Sequence, residues 1–188
     1  MQENFKQKIL TAVTVEDALT PAQCDMIRQD AEIIGMKRAP VLAKDGRNAV
    51  SLNRTCSSCW IPKALHHNWI YNYVWALARE TNDKHYQFAI SDLQQLQILR
   101  YRPMQWFKWH FDTYDGSFRK LTMVINLSDP STYLGGGLQV EADWENGDKS
   151  SMQGAASFFP SWIKHRARAP LFGERWVLVA WITGAAWR

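Results

Sequence analysis

The chain changes from helix-forming to strand-forming sequence near residue 82, and the second part constrains the fold most. Seven segments rich in β-branched, aromatic and alternating apolar residues follow one another there. They are LQQLQILRY, QWFKWHFD, RKLTMVINLS, GGLQVEAD, AASFFPS, HRARAP and ERWVLVAWIT. Loop-forming residues separate them, in particular SDPS at 128–131 and GGG at 135–137. This succession predicts a core made of β-strands.

The first part of the chain predicts helices. TPAQ at 20–23 has the residues of a helix start, with Thr20 as the N-cap, and Gly35 predicts the end of that helix. A second, amphipathic helix is predicted over about 63–80, and two strands joined by a polar loop over about 37–61. Because helices precede a run of strands, we expect an α+β protein with N-terminal helices packed on one face of the β-rich core.

Composition favours one folded domain. The chain has 188 residues and a mass of 21.8 kDa, 46% of its residues are hydrophobic, and ten are tryptophan. We expect a single domain over 1–188, with a helical portion over about 1–82 and the strand core over about 83–188. No apolar run is long enough to span a bilayer, and MQENFKQKIL lacks the hydrophobic region of a signal peptide. A cytoplasmic protein without a membrane partner is therefore expected.

The charge pattern leaves two interpretations open. The net charge is +4, and the basic residues are scattered except for KHRAR at 164–168. The modest net charge favours ordinary solvated charge over a dedicated nucleic-acid face, so nucleic acid is not expected as a partner. The sharper interpretation of KHRAR is a positive rim that attracts an acidic substrate.

Cysteine usage indicates reduced thiols. Cys24, Cys56 and Cys59 are an odd number, which is typical of a reducing compartment. Cys56 and Cys59 form a CxxC pair, but no second pair follows to complete a zinc site, and no strand-to-helix turn marks a redox motif. We expect these cysteines to be structural.

One set of residues in the strand region has the spacing of a metal site. His110 and Asp112 are two residues apart, so on an extended strand they point to the same face. His165 can add a ligand from a later strand, and two histidines with one carboxylate suit Fe(II) that keeps positions open for co-substrate and oxygen. Arg175 offers paired donors suited to a carboxylate. Taken singly, each residue fits an ordinary surface or core position, but in this order they predict a metal centre.

With these motifs the chain resembles the Fe(II)/2-oxoglutarate-dependent dioxygenases, and within them the prolyl 4-hydroxylase-like branch. The resemblance is carried by LRYRPMQWFKWHFD (99–112), RKLTMVINL (119–127), YLGGGLQV (133–140) and FFPSWIKHRARAPLFGERWVLVAWITG (158–184). It implies a double-stranded β-helix (jelly-roll) core and Fe(II) held by His110, Asp112 and His165. It also implies 2-oxoglutarate and O2 as co-substrates, with ascorbate as a supporting reductant.

The resemblance implies three further residues around 2-oxoglutarate. Arg175 and Tyr101 match the arginine and the tyrosine that hold the distal carboxylate of the co-substrate, and Thr122 matches a position that lines its pocket. From the sequence alone, Arg175 is equally compatible with an internal salt bridge, and Tyr101 with a core aromatic at the end of a strand.

Contacts with the substrate are implied for Trp181, Arg119 and Arg54. Trp181 stands where related nucleic-acid demethylases tend to have a second arginine and where prolyl-hydroxylase-like enzymes have tryptophan. Arg119 matches an arginine that contacts a peptide substrate, and Arg54 with the loop 42–53 resembles a flap that closes over the substrate. An exposed arginine at a strand start and an ordinary hairpin loop are the alternatives for these two features.

The expected function is therefore hydroxylation of a peptidyl proline, with a peptide or protein as the partner and with succinate formed from 2-oxoglutarate. The same oxygenase chemistry on another side chain or on a small molecule remains open. A non-catalytic nucleic-acid-binding module of this fold is a third possibility. The presence of all three candidate ligands together with Arg175 argues against that module.

Overall fold

The computed structural model describes residues 10–42, 48–49, 52–114 and 116–186. Two α-helices, α1 (Pro21–Ile34) and α2 (Asn68–Thr81), accompany a much larger set of strands. This mixed, sheet-dominated architecture agrees with the α+β prediction. Residues 43–47, 50 and 51 of the predicted flap lie outside the described residues.

The strands account for most of the regular structure. They are β1 (Thr11–Val15), β2 (Lys37–Arg38), β3 (Val41–Leu42), β4 (Asn48–Ala49), β5 (Ser57–Trp60), β6 (Ile90–Leu93), β7 (Gln97–Tyr101), β8 (Phe107–His110), β9 (Arg119–Asn126), β10 (Leu134–Gly135), β11 (Leu138–Val140), β12 (Asp143–Glu145), β13 (Ala156–Pro160), β14 (His165–Ala167), β15 (Pro170–Phe172) and β16 (Arg175–Gly184). Short helical turns lie between some of them, at Leu65–His67, Asn82–Tyr86, Pro130–Thr132 and Gly147–Ser151.

Two sheets matter for function. The large sheet has the strand order β12-β1-β13-β9-β16-β7-β5-β2, and β6 also pairs with β16. A small sheet has the order β11-β14-β8, and all its pairings are antiparallel. The remaining pairs, β10 with β15 and β3 with β4, form two-stranded ribbons.

Strand β16 separates two apolar clusters because alternate residues of a strand point to opposite faces. On one face, Leu178, Ala180 and Ile182 belong to the cluster that contains the buried sides of the helices. On the other face, Val177, Val179 and Trp181 belong to a second cluster, against which Phe107 and Leu138 of the small sheet pack. The second cluster therefore lies between the two sheets, and the first lies under the helices.

Helix α1 begins and ends where the sequence predicts. The Thr20 side chain accepts a hydrogen bond from the Gln23 backbone N–H, and the Gln23 side chain accepts one from the Thr20 backbone N–H, which completes a capping box. Gly35 is the C-cap, with φ of 96°, a conformation that favours glycine. Helix α2 begins at Asn68, later than predicted, because the preceding residues form a short 3₁₀ turn. No helix in the described part of the chain is long and apolar enough to cross a membrane.

The large sheet also takes up strands from before residue 82. Strand β1, which the sequence did not predict, pairs antiparallel with β13 and parallel with β12. Strand β5 pairs with β7, so it continues the sheet beyond the strands of the second half. TAVTV is too short for its alternation to be distinctive, and only its partners in the sheet make it a strand.

The cysteines are all free and buried, in agreement with a structural role. Cys56 belongs to the cluster between the sheets, whereas Cys59 belongs to the cluster under the helices. The CxxC pair thus faces opposite sides of the sheet and cannot bind one metal ion. Burial raises the pKa of Cys59 to about 11, so this thiol is protonated and poorly reactive at neutral pH.

The capping box at the start of α1 predicts the effect of one substitution. Thr20→Ala removes the side-chain oxygen that accepts from the first turn and should lower the free energy of unfolding by about 1 kcal/mol. Thr20→Ser keeps that oxygen and should retain most of the stability. Urea denaturation of the three proteins measures the difference, and equal midpoints for Thr20→Ala and the unaltered chain would contradict this role.

Candidate metal centre

Three potential ligands meet where the small sheet faces the pocket. Strands β8 and β14 pair so that His110 lies opposite His165, and Asp112 follows β8 by two residues. The Asp112 carboxylate lies 3.8 Å from His110 Nε2 and 3.4 Å from His165 Nε2. One candidate ligand atom from each residue lies within 4.8 Å of the others. The three residues that the sequence predicted as ligands therefore form one cluster.

Both histidines present the same nitrogen to the centre. His110 Nδ1 lies 2.7 Å from the Lys108 carbonyl oxygen, and His165 Nδ1 lies 3.0 Å from that of Ile163. A carbonyl only accepts, so each Nδ1 carries the proton and each Nε2 keeps its lone pair for a metal. Burial, helped by the neighbouring His165, lowers the pKa of His110 to about 4. His110 is therefore neutral, as a metal ligand must be, at physiological pH.

Asp112 is held ionised by the groups around it. Burial would raise the pKa of this carboxyl, but the two histidines and the Thr122 hydroxyl outweigh burial and lower the pKa below its usual value. Thr122 Oγ1 donates to Asp112 Oδ2 at 2.7 Å and lies 3.0 Å from Ser161 Oγ. The Asp112 backbone N–H donates to the Ser161 carbonyl oxygen. The two imidazole Nε2 atoms and the oriented carboxylate form a donor set that fits a divalent cation.

Arg175 is a buried cation without an anion. Its exposed fraction is 2%, its Nε has no hydrogen-bond partner, and no described acidic side chain forms an ion pair with it. It pairs with Tyr101 across β16 and β7, and both line the same pocket as the metal cluster. An unpaired buried charge is costly unless a partner arrives. The internal salt bridge that the sequence left open is not formed in the described structure, and the pocket is suited to bind an anion.

Tyr101 completes this end of the pocket as a neutral donor. The residue is buried, and burial raises the pKa of its hydroxyl well above the usual value, so the proton stays on the phenol. The tight turn before β16 helps to fix Arg175 nearby. In that turn Gly173 has φ of 71°, and a Cβ there would lie 2.1 Å from the Thr132 carbonyl oxygen. Only glycine therefore fits this turn without moving the backbone.

The walls of the pocket between these two ends are mainly apolar. Leu99, Val124, Val177, Val179, Leu138 and Ala167 line it. Phe107 stacks on the His110 ring with a centroid separation of 3.5 Å, and Phe159 lies 4.6 Å from the His165 ring. Apolar walls of this kind exclude water and strengthen the electrostatic interactions of the ligands within.

The residues predicted to contact substrate occupy different positions. Arg54 and Trp181 line the pocket, and Arg54 Nη2 donates to Gln97 Oε1 at 2.9 Å. Arg119 does not line it. The guanidinium carbon of Arg119 lies 4.0 Å from the centroid of the Trp181 ring, and its Nη1 donates to the Asp112 carbonyl oxygen at 3.1 Å.

Thr122 contacts a ligand of the proposed metal, a role that sequence analysis did not assign to it. Sequence analysis also missed Ser161, which orients Thr122 from β13's end. Ser161 comes close to Thr122 because β9 pairs with β13, which places Thr122 opposite Phe159. That pairing is a tertiary property, so no local pattern around Ser161 reveals it.

Residues 96–183 match the model of the 2OG-Fe(II) oxygenase superfamily. This range contains all three members of the metal cluster, Arg175 and Tyr101. None of the curated proteins matches the chain.

Several solved prolyl hydroxylases have the same fold as this chain. A prolyl-4-hydroxylase of Pseudomonas putida has a TM-score of 0.72 at 16% identity, with 99% of this chain and 100% of that chain covered. A viral collagen prolyl hydroxylase of Paramecium Bursaria Chlorella virus-1, solved with 2OG, has a TM-score of 0.69 at 17% identity, with 93% and 96% covered.

A third structure is similar to the same extent. It is a prolyl hydroxylase from Trichoplax adhaerens in complex with a peptide fragment of the hypoxia inducible factor oxygen degradation domain. The TM-score is 0.70 at 14% identity, with 97% of this chain and 91% of that chain covered. At such identities these likenesses establish the fold and leave the substrate to be argued from the pocket.

The contact between Thr122 and Asp112 predicts a loss of metal affinity on substitution. Thr122→Val keeps the shape of the side chain but removes the donor to Asp112 Oδ2, and should weaken Mn(II) binding about tenfold or more. Thr122→Ser retains the hydroxyl and should bind Mn(II) nearly as the unaltered chain does. Isothermal titration calorimetry measures the affinities, and an unchanged affinity of Thr122→Val would show that the hydroxyl does not position the ligand.

Proposed function

We propose that this chain is a 2OG-Fe(II) oxygenase, since residues 96–183 match the model of that superfamily, and that it hydroxylates a prolyl residue of a peptide or protein. The enzyme uses Fe(II), 2-oxoglutarate and O2. One observation carries the proposal most directly: a His-Asp-His cluster and an uncompensated buried arginine line the same pocket. We further propose that the large and small sheets form a double-stranded β-helix core.

In this proposal, the chain's own groups hold each reactant. His110, Asp112 and His165 bind Fe(II) through two imidazole nitrogens and one carboxylate. Arg175 and Tyr101 bind the distal carboxylate of 2-oxoglutarate, the first as a paired donor and the second as a neutral hydroxyl. When bound, the metal and its co-substrate supply the oxidising chemistry, in which one oxygen atom of O2 enters the substrate C–H bond and the other enters succinate as CO2 leaves.

The protein contributes positioning and the exclusion of water. Thr122 keeps the Asp112 carboxylate turned toward the histidines, and the backbone carbonyls of Lys108 and Ile163 keep both imidazoles in the tautomer that binds metal. The apolar walls leave the carboxylate of the co-substrate few competitors for the Arg175 guanidinium. The hydrogen bonds of the fold itself orient these groups, so little reorganisation is needed.

The substrate is the finer part of the proposal. Trp181 and Arg54 border the pocket, and we propose that they frame the site where the target side chain lies beside the metal. The Arg119 guanidinium lies over the Trp181 ring and donates a hydrogen bond to the Asp112 carbonyl oxygen, and we propose that it contacts the peptide beside Trp181. The fold shared with prolyl hydroxylases, one of them bound to a peptide, supports a peptidyl proline over a small molecule.

Asp112→Ala should abolish oxygenase activity because it removes the only anionic ligand of the cluster. The unaltered chain, incubated with Fe(II), 2-oxoglutarate, air and a panel of proline-containing peptides, should add one oxygen atom to proline, which mass spectrometry detects. The matched control is Asp83→Ala, which changes an exposed aspartate that does not line the pocket and should leave activity intact.

Two results would contradict the proposal at different levels. Undiminished succinate formation by Asp112→Ala would contradict the assignment of the metal site. Succinate formation by the unaltered chain without any oxidised peptide would retain the oxygenase but contradict the prolyl substrate.

Arg175→Met should weaken the binding of 2-oxoglutarate without lowering the stability of the protein. Replacing an unpaired buried cation by an apolar side chain of similar length should leave the free energy of unfolding unchanged or raise it by about 1 kcal/mol. The same change should weaken 2-oxoglutarate binding to the Mn(II)-loaded protein by about thirtyfold or more, since the carboxylate loses its partner. Arg175→Lys, the control that keeps the charge, should lose less affinity. A marked loss of stability in Arg175→Met would show that the arginine serves the fold.

A further inference from the structure

A groove lined by basic residues lies at the end of the small sheet. It has a volume of about 320 Å³, and its walls include Lys108 of β8 with Arg166 and Arg168 beside Trp106. No acidic residue lines it, and none of its three basic side chains forms an ion pair with an acidic side chain in the described part of the chain. The groove therefore carries a positive charge that the fold leaves uncompensated.

The charges around the groove are held in place without being neutralised. The Arg166 guanidinium carbon lies 4.7 Å from the centroid of the Trp109 ring, and Lys164 Nζ lies 5.5 Å from it. Arg166 Nε also donates to Gln139 Oε1 at 2.6 Å, an uncharged acceptor. Lys164 is the exception, because it pairs with Glu141 at 3.3 Å. Arg166 is thus pre-oriented while keeping its full charge, which lowers the entropy lost when an anion binds.

The groove adjoins the pocket that holds the metal cluster. Phe107 and Ala167, which lie opposite each other in the small sheet, line both. Across an irregularity in β8, Phe107 and His110 lie opposite Ala167 and His165, which are two residues apart on β14 and therefore separated by about 7 Å along the strand. A polypeptide whose target residue lies beside the metal can therefore reach the groove with residues about three to six positions away from the target.

We infer that this groove binds an acidic segment of the polypeptide substrate, through carboxylate side chains that flank the target residue. The inference rests on the proposed function, since it assigns a recognition element to the same substrate. Charge complementarity favours this occupant, because three basic side chains without acidic partners surround a groove of limited size. Nucleic acid is less well suited. Trp109, the exposed aromatic beside the groove, already has two cations over its ring and is not free to stack on a base.

Fluorescence anisotropy with the full chain tests this inference without requiring turnover. The probes are labelled proline-containing peptides with glutamates about three to six residues from the proline, on either side, and matched peptides with glutamines instead. At low salt the glutamate peptide of one such pair should bind about tenfold more tightly than its glutamine counterpart, and the difference should shrink as salt is added.

The variants follow from the exposed positions of the groove. Lys108 and Arg168 are exposed, so the double variant Lys108→Gln/Arg168→Gln should keep the fold. It also keeps the Lys108 backbone carbonyl that contacts His110. The preference for the glutamate peptide should disappear in this variant. The control is the double variant Arg79→Gln/Lys84→Gln. It removes two exposed positive charges that do not line the groove, one in α2 and one shortly after it, and should keep the preference for the glutamate peptide.

Three results would overturn the inference. They are equal affinity for both peptides of every pair, a preference that survives in Lys108→Gln/Arg168→Gln, and tighter binding of a single-stranded oligonucleotide of the same charge that the double variant loses. The last result would assign the groove to nucleic acid. Anisotropy measures binding and does not depend on turnover. If no peptide is oxidised on proline, that result contradicts only the proposed function. The preference for acidic peptides is decided by the binding data alone.

Discussion

The pairing of β8 with β14 is the constraint on which the site depends. It sets His110 opposite His165, and Asp112 comes next to both only because the chain leaves β8 immediately after His110. The same pairing turns Lys108 and Arg166 away from the pocket. A shift of one residue in this register would exchange the faces, direct the basic side chains inward and remove the metal ligands from the cluster. The register of this strand pair therefore determines which side chains reach the metal centre.

The charged side chains buried in the pocket lower the stability of the fold because they lose solvation. Arg175 is fully buried without an anion in the described structure, and Asp112 is a buried carboxylate beside two histidines. Each charge would be better solvated outside the protein. A cation at the cluster and a dicarboxylate extending to Arg175 would neutralise both at once. The arrangement therefore favours simultaneous occupation of the pocket by metal and co-substrate, and the apolar walls strengthen both interactions.

Sequence reasoning succeeded where local patterns decide the structure. The start and end of α1 follow from Thr20 and Gly35, and the face shared by Arg175, Val177, Val179 and Trp181 follows from alternation along β16. The order of His110, Asp112, His165 and Arg175, together with the matching segments around them, predicted the cluster that the structure forms. It failed where long-range pairing decides. β1 is a strand only through β12 and β13, and Ser161 reaches Thr122 only through the β9–β13 pair.

A crystal structure of the protein with Mn(II) and 2-oxoglutarate, prepared without O2, tests the central claim most directly. We expect the metal on Nε2 of His110, Nε2 of His165 and a carboxylate oxygen of Asp112, with the distal carboxylate of 2-oxoglutarate on Arg175. A metal bound elsewhere, or a co-substrate whose distal carboxylate avoids Arg175, would contradict the claim that this pocket is the oxygenase centre.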